Sequence, residues 1–240
     1  MSLKIKGWRK ITKIAVGAVF GLLLLIFFVK VATFEDAYYR EKEGSERAVS
    51  PSQTEEEEKV PTETEELSEE EPTEVQIREY WVAPERPRYL TIEKLGIYNS
   101  RVRAVSINSN GELGTPNNIF DVGWYESSGL PGSGRTLLID GHNGGPHVHG
   151  VFKNLPDLVE GDIIWIERGD TRLFKYVVVE NVEKSLDEAN TYMATAMKSP
   201  EPGRESLTLI SCTGEWSSQR NTYLSRQFVR AVFEGSFDNE

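Results

Sequence analysis

The sequence is poor in the side chains that build disulfide frameworks and zinc sites. Its 240 residues include one cysteine and three histidines. A lone cysteine has no partner within its own chain, which excludes an intrachain disulfide framework. No acidic or cysteine residue stands at the spacing of a known zinc motif around the histidines, so the composition does not favour a zinc enzyme.

Beyond the N-terminus, acidic side chains outnumber basic ones. Residues 1–34 carry six basic and no acidic side chains, residues 35–74 carry four and sixteen, and residues 75–240 carry seventeen and twenty-two. Proteins that bind a phosphate backbone need a basic patch, which no segment after the first provides. The charge pattern therefore disfavours nucleic-acid binding.

The N-terminus combines a basic start with a long apolar run. Residues 1–13 contain five basic side chains, and residues 14–34 contain a single charge, Lys30. As a helix this run spans roughly 30 Å, the hydrocarbon thickness of a bilayer, and a lysine near its end can reach the headgroups. The positive-inside rule then predicts a cytoplasmic tail (1–13), a single transmembrane signal anchor (14–34) and an extracellular remainder at the cell membrane.

Two other interpretations of this run are weaker. A cleaved signal peptide has a similar basic start, but the apolar run is longer than an ordinary signal core and lacks a small-x-small cleavage site, since Lys30 stands two residues before Ala32. A buried helix of a soluble core is disfavoured because the run is apolar on all sides and follows five cations.

Residues 35–82 are acidic and nearly free of apolar side chains. Glutamate runs occupy residues 55–58, 65–66 and 69–71 among Thr, Ser and Pro. Like charges repel and little can be buried, so we predict a disordered acidic linker. A flexible coil of this length has a root-mean-square span of roughly 40 Å, enough to hold a domain away from a membrane.

Residues 83–240 change to short β-rich runs separated by turn residues. We predict an all-β fold, a closed or nearly closed barrel or a sandwich, with helix only at residues 151–158 and 186–197. The predicted strands occupy residues 89–92, 101–106, 135–139, 163–167, 174–179, 207–211 and 227–233.

Cys212 is the first candidate for chemistry. It follows the apolar strand predicted at residues 207–211 and precedes Thr213 and Gly214. A thiol at a strand end is placed to meet a ligand, and its reactivity depends on neighbours that lower its pKa. The alternative is an inert buried cysteine, which is less suited to an exported domain where a lone thiol is open to oxidation.

His142 is the second candidate. It stands in the segment IDGHNGG (residues 139–145), just after another predicted strand. Imidazole can take a proton from a thiol and return it to a leaving amine. A plain surface loop, or a metal site that also uses His147 and His149, is the alternative.

Arg226 is the third candidate, at the start of the last predicted strand. An arginine fixed beside a catalytic thiol can donate hydrogen bonds to a developing oxyanion. We interpret Arg230 and the loop residue Arg220 as solvated. The period of two places Val229, Ala231 and Phe233 toward the core and Arg226, Phe228 and Arg230 on the opposite face.

These residues together resemble the sortase family, the cysteine transpeptidases of Gram-positive cell envelopes. The family signature is Thr-Leu-x-Thr-Cys followed by an arginine, with a Gly-His upstream. Here Arg226 stands fourteen residues after the cysteine and Gly141-His142 about seventy residues before it. The matching strand is Thr208-Leu209-Ile210-Ser211-Cys212, and the resemblance covers residues 87–233, including Gly123-Trp124-Tyr125, Pro131-Gly132 and residues 152–162.

The resemblance implies a sortase-like β-barrel with Cys212 as nucleophile, His142 as general acid and base, and Arg226 as the clamp for oxyanion or substrate. Family members cleave an LPXTG-type sorting signal between Thr and Gly and pass the threonyl group to an amine of peptidoglycan precursor or a pilin lysine. The implied partners are secreted proteins with such a signal and an amine acceptor. A non-catalytic peptide-binding module with the same barrel, or a mainly hydrolytic cysteine peptidase, is the alternative.

Some positions depart from the family pattern. Ser211 replaces the second threonine of the signature, and residues 180–204 and 216–221, where relatives build the signal-binding groove, match no subclass pattern. The pentapeptide and the acceptor therefore stay open, although the Gly-Trp-Tyr and Pro-Gly segments are closest in style to housekeeping-like or class E/F-type members. No cofactor is implied, and the acidic residues that could bind calcium are read as solvated surface: Glu180, Glu183, Asp187 and Glu188.

Overall fold

The computed structural model describes residues 67–109, 111–145 and 147–238. The predicted tail, the predicted anchor and most of the predicted linker lie outside these residues. Within the described ranges, no helix is long and apolar enough to cross a membrane.

Eight strands and few helices make up the described chain. The helices are α1 (Glu74–Arg78) and α2 (Leu186–Ala196), with 3-10 turns at Glu93–Leu95 and Leu155–Asp157. The strands are β1 (Pro87–Ile92), β2 (Ile97–Val105), β3 (Val122–Tyr125), β4 (Thr136–Gly141), β5 (Ile163–Arg168), β6 (Leu173–Ser185), β7 (Ser206–Ser217) and β8 (Thr222–Phe237).

The strands close into a barrel in the order β1-β2-β3-β4-β7-β8-β6-β5. β2 pairs with β3 and β4 with β7 in parallel, whereas the other neighbours are antiparallel. The prediction of an all-β closed barrel with few helices is confirmed. The helix predicted at residues 151–158 is wrong, because only the 3-10 turn forms there, and β3 was not predicted.

Apolar side chains lie on both sides of β4, whose residues are all buried. Leu137 and Ile139 face the barrel interior, and Leu138 belongs to a second cluster outside the barrel. A strand covered on both faces shows a continuous apolar run instead of alternation, which explains the sequence Leu-Leu-Ile at its centre. The second cluster is covered by α2, whose first turn is capped by Ser185 and Glu188.

The described structure includes residues on the N-terminal side of the predicted domain boundary at residue 83. Thr73 and Gln76 form a capping box at the start of α1. The Tyr89 hydroxyl donates to the Ile77 carbonyl, and Arg88 Nε donates to the Tyr80 carbonyl at 2.9 Å. These contacts hold the end of the predicted linker against β1.

Truncation of Leu209 to alanine tests the barrel interior. Leu209 is 0% exposed in the main core, so Leu209→Ala is expected to lower the free energy of unfolding by about 2–5 kcal/mol. Val159, which is 56% exposed, is the control: Val159→Ala should change the free energy of unfolding by less than about 0.5 kcal/mol. Denaturant unfolding of the full chain measures both, and equal effects would contradict the assigned core.

Candidate active site

Strand register places His142, Cys212 and Arg226 in one row. β4 runs parallel to β7, and their last paired residues are Gly141 and Ser211. One residue further along the two strands stand His142 and Cys212. Cys212 pairs with Arg226 across the antiparallel β7–β8 ladder. The predicted site residues are therefore brought together by three neighbouring strands.

Cys212 lies on the outer face of the barrel. Side chains alternate along a strand, so Cys212 faces the same side as Ile210 and away from Leu209. Leu209 is in the barrel interior and Ile210 is in the outer cluster. Ile210, two residues before Cys212 on the same face of β7, pairs with Asp140 on β4 and with Phe228 on β8. All three side chains are buried, so Asp140, Ile210 and Phe228 form a packed layer beside the thiol, which we call the outer layer.

Helix α2 packs on this outer layer. Ala189 is buried in the outer cluster, and Tyr192 and Met193 pack against that cluster. The rings of Tyr192 and Phe228 meet edge to face, with centroids 4.9 Å apart. The strand face that carries the thiol therefore has apolar, closely packed neighbours beneath α2.

The Cys212 side chain is half-buried and forms no disulfide. Burial raises the pKa of Cys212 above its ordinary value; the Arg226 guanidinium opposes this shift, and the Asp140 carboxyl adds to it. The net shift disfavours the thiolate, which is the nucleophilic form of cysteine.

His142 is half-buried and held by a backbone carbonyl. Its Nε2 lies 2.8 Å from the Pro116 oxygen. A carbonyl only accepts, so Nε2 carries the hydrogen and Nδ1 is the proton acceptor of the neutral ring. The chain around the ring is closely packed: Phe152 N donates to the His142 carbonyl at 2.9 Å, and a Cβ on Gly141 would lie 2.5 Å from the Phe152 ring.

The Arg226 guanidinium is fixed by its own hairpin. Nη1 donates to the carbonyls of Tyr223 and Ser225, each at 2.9 Å, and Nη2 donates to Thr222 Oγ1 at 3.1 Å. Nε–H and one Nη2–H make no hydrogen bond to the described chain. The cation is thus held next to Cys212 with donors available for a carbonyl oxygen.

Asp140 is a site residue that the sequence analysis missed. Its side chain is buried, and Oδ1 has no hydrogen-bond partner among the described residues. Burial raises the pKa of Asp140 well above its ordinary value. The available signal was an acid inside an otherwise apolar strand, two residues before the candidate histidine.

Cys212 and Arg226 lie inside their strands, not at the ends. β7 continues past the thiol to Ser217, and β8 begins at Thr222. Arg230 is 6% exposed and pairs with Glu180, so its interpretation as a solvated side chain is wrong. Arg220 is exposed as expected.

His147 and His149 are exposed and stand apart from the row. Among the described residues, no group of three or more His, Cys, Asp or Glu side chains is arranged to hold a metal. Two of the acidic residues considered for calcium have other partners: Glu180 binds Arg230, and Glu188 caps α2.

Asp140→Asn is expected to stabilise the protein increasingly as the pH rises. The folded-state pKa of Asp140 lies above its unfolded value, so the wild type loses stability from about pH 4 upward, whereas asparagine does not titrate. Urea unfolding at several pH values measures the difference. The exposed Asp157, changed to asparagine, is the control, and a pH-independent difference for Asp140→Asn would contradict the burial of an ionisable carboxyl.

Comparison with known proteins identifies the family. The Sortase domain model matches residues 90–234. No curated protein matches the chain. Similar solved structures include a sortase D5 transpeptidase from Clostridium perfringens (22% identity, 62% of this chain, 79% of that chain, TM-score 0.44) and the SrtA sortase from Actinomyces oris (19%, 65%, 84%, 0.47). A pilus-related sortase C of Group B Streptococcus is another (22%, 73%, 78%, 0.47). Because the family model spans more than half of the sequence, the chain belongs to the sortase family.

Proposed function

We propose that this sortase is a membrane-anchored transpeptidase that cleaves an LPXTG-type sorting signal between Thr and Gly and transfers the threonyl end to an amine of the cell wall or a pilin lysine. Sortases are cysteine transpeptidases, which gives the general activity. The observation that carries the finer proposal is the row of His142, Cys212 and Arg226 on the outer face of the barrel.

The first half-reaction forms a thioester. Nδ1 of His142 takes the proton of the Cys212 thiol as the sulfur attacks the threonyl carbonyl. Free N–H groups of Arg226 donate to the oxyanion. When the tetrahedral intermediate collapses, the C–N bond breaks and the leaving amine of glycine takes the proton from His142.

The second half-reaction reverses these roles. An acceptor amine attacks the thioester and passes one proton to His142, and Arg226 again holds the oxyanion. Collapse expels the sulfur, which recovers the proton from His142. Splitting one amide exchange into two acyl transfers lowers each barrier, provided that an amine reaches the thioester faster than water.

The outer cluster near the thiol supports binding of a short apolar signal. Ile210 and Phe228 are buried beneath α2, whereas Tyr192 and Met193 pack on this cluster and stay partly exposed. This helix lies in residues 180–204, the region where the family builds its signal-binding groove. An apolar signal residue that packs there gains roughly 25 cal/mol for each Å² removed from water.

The membrane anchor belongs to the proposal as well. The basic start, the apolar run at residues 14–34 and the acidic linker fit a single-pass protein with a cytoplasmic N-terminus and an extracellular barrel. An anchored catalyst would stand beside substrates that emerge through the same membrane.

Peptide turnover tests the proposed function. The full chain, purified in detergent, is mixed with a fluorogenic LPXTG peptide with and without an amine such as triglycine, and intact mass is measured. An adduct on Cys212 that amine resolves faster than water supports transpeptidation, and resolution at an equal rate indicates a peptidase. Peptide binding without an adduct, unaffected by His142→Ala, indicates a binding module.

Substitution of His142 tests the general base. His142→Ala is expected to lower kcat/KM for thioester formation about 10²- to 10⁴-fold, because no other group in the row takes the thiol proton. His149→Ala removes an exposed histidine from the same loop and should leave the rate within about twofold. Stopped-flow cleavage of the fluorogenic peptide measures both, with Cys212→Ala as the blank; similar rates for the two histidine variants would refute the assignment.

Substitution of Arg226 tests the oxyanion clamp. Arg226→Gln is expected to reduce kcat about 10²- to 10³-fold, and to raise the pKa of Cys212 further because an opposing cation is lost. The pH dependence of iodoacetamide alkylation reports the thiol, and peptide cleavage reports kcat. Arg220→Gln, at an exposed position in the β7–β8 turn, is the matched control. Loss of activity in both variants would mean that general attraction between the protein's positive charge and the substrate, and not a positioned guanidinium, assists the reaction.

A further inference from the structure

Residues 68–70, in the part of the predicted acidic linker that the structure describes, contact the chain segment that holds the His142 ring. Ser68 N donates to the Asn117 carbonyl at 2.7 Å, and Ile119 N donates to the Ser68 carbonyl at 3.1 Å. We call residues 68–70 the N-terminal segment. It forms a short parallel bridge to the loop between β2 and β3.

Asn118 strengthens this bridge. Its Nδ2 donates to Ser68 Oγ at 3.3 Å and to the Glu70 carbonyl at 2.8 Å. Asn118 stands two residues after Pro116, whose carbonyl accepts from Nε2 of His142. The N-terminal segment therefore fixes the loop that sets the orientation of the imidazole.

Glu69 binds the second loop, the one that follows His142. Its Oε1 accepts from the backbone N–H of His147 at 2.8 Å and of Val148 at 3.2 Å. The approach is close, because a Cβ on Gly145 would lie 2.1 Å from the same oxygen. Hydrogen bonds to a carboxylate are about twice as strong as neutral ones.

The loop after His142 is also joined by backbone hydrogen bonds among its described residues. It contains Gly144 and Gly145, which lose more backbone entropy on ordering than other residues. Its own backbone bonds join Gly145 N to the Val148 carbonyl and Gly150 N to the Asn143 carbonyl, both at 2.9 Å. A carboxylate that gathers two N–H groups at its tip is thus a substantial part of what orders it.

We propose that Glu69 is a positioning residue: with the rest of the N-terminal segment it holds, from both sides, the loops that aim His142 at Cys212. The linker end is in this way a structural part of the catalytic centre as well as a spacer. The proposal rests on the proposed function, since it assigns Glu69 to the proton transfer carried out by His142.

The acidic run provides its own matched control. Glu69 and Glu70 are adjacent and of equal charge, but Glu70 takes part in the bridge only through its backbone, which an alanine keeps, and its carboxylate makes no hydrogen bond or ion pair with the described chain. In the full chain, Glu69→Ala is expected to lower kcat for thioester formation about tenfold, with KM for the peptide changed less than about twofold. Glu69→Gln keeps an acceptor oxygen and should recover most of the rate, and Glu70→Ala should match the wild type.

Two further readouts separate positioning from simple loss of fold. The pH profile of kcat/KM should change shape in Glu69→Ala but not in Glu70→Ala, because only the first variant loosens the loop that positions the His142 ring. Hydrogen exchange at the His147 and Val148 amides should rise in Glu69→Ala while the β7 amides stay protected. If the tenfold loss came with exchange that rises throughout β7 as much as at the His147 and Val148 amides, the variant would be generally unfolded, and the proposal would be overturned.

The remaining outcomes are equally decisive. Equal losses in Glu69→Ala and Glu70→Ala would assign the effect to linker charge, and a change in KM alone would place Glu69 in signal binding; either result overturns the proposal. If the wild type forms no thioester with any peptide, the proposed function fails. The pH profile of Cys212 alkylation, which needs no peptide, then still tests whether Glu69 acts on the His142–Cys212 pair.

Discussion

The parallel pairing of β4 with β7 is the constraint on which the site depends. Their paired residues end at Gly141 and Ser211, so the next residues, His142 and Cys212, stand side by side. The antiparallel β7–β8 ladder then adds Arg226 opposite Cys212. A slip of one residue in either ladder would turn a whole strand to its other face and send the thiol or the guanidinium toward the interior. In β4 such a slip would also turn the Asp140 carboxyl into the apolar interior, which is unfavourable.

The environment of the thiol is a balance among three effects. Burial disfavours the thiolate, Arg226 favours it, and the nearby Asp140 carboxyl disfavours it. Because burial is the largest, the net effect disfavours the thiolate, and the proposed reaction therefore depends on a proton acceptor near the sulfur. The proposed acceptor, His142, is held at its ring by the Pro116 carbonyl and at its backbone by the Phe152 N–H. An acceptor that is already oriented needs no rearrangement when the attack begins.

Much of this could be predicted from the sequence, for physical reasons that also explain the failures. The strands with strong apolar patterns were predicted. Cys212, His142 and Arg226 were selected because each stands close to one end of such a strand and has a side chain suited to acyl transfer. β3 was missed because four residues that include Gly123 and pair in parallel leave little local signal. Residues 151–158 have a helical pattern, but they form turns, and these turns place Leu155 and Leu158 in the core without a helix.

The contacts of charged residues were the least predictable part. Arg230 is buried because Glu180, fifty residues earlier on the neighbouring strand, neutralises it. Asp140 is buried because β4 is enclosed, and Glu69 binds backbone N–H groups about eighty residues away. Each of these contacts depends on how distant parts of the chain are arranged in the barrel, and no local pattern in a single sequence specifies that arrangement.

The separation of the three site residues along the chain also has a consequence for biosynthesis. The row draws on strands around residues 141, 211 and 226, so it joins a contact about seventy residues long to the β7–β8 hairpin. Contacts of such long range form late in folding. A nascent chain can therefore bring His142, Cys212 and Arg226 together only after β8 has been synthesised. A product that stops between residues 212 and 226 carries the thiol without the guanidinium that faces it across the β7–β8 ladder.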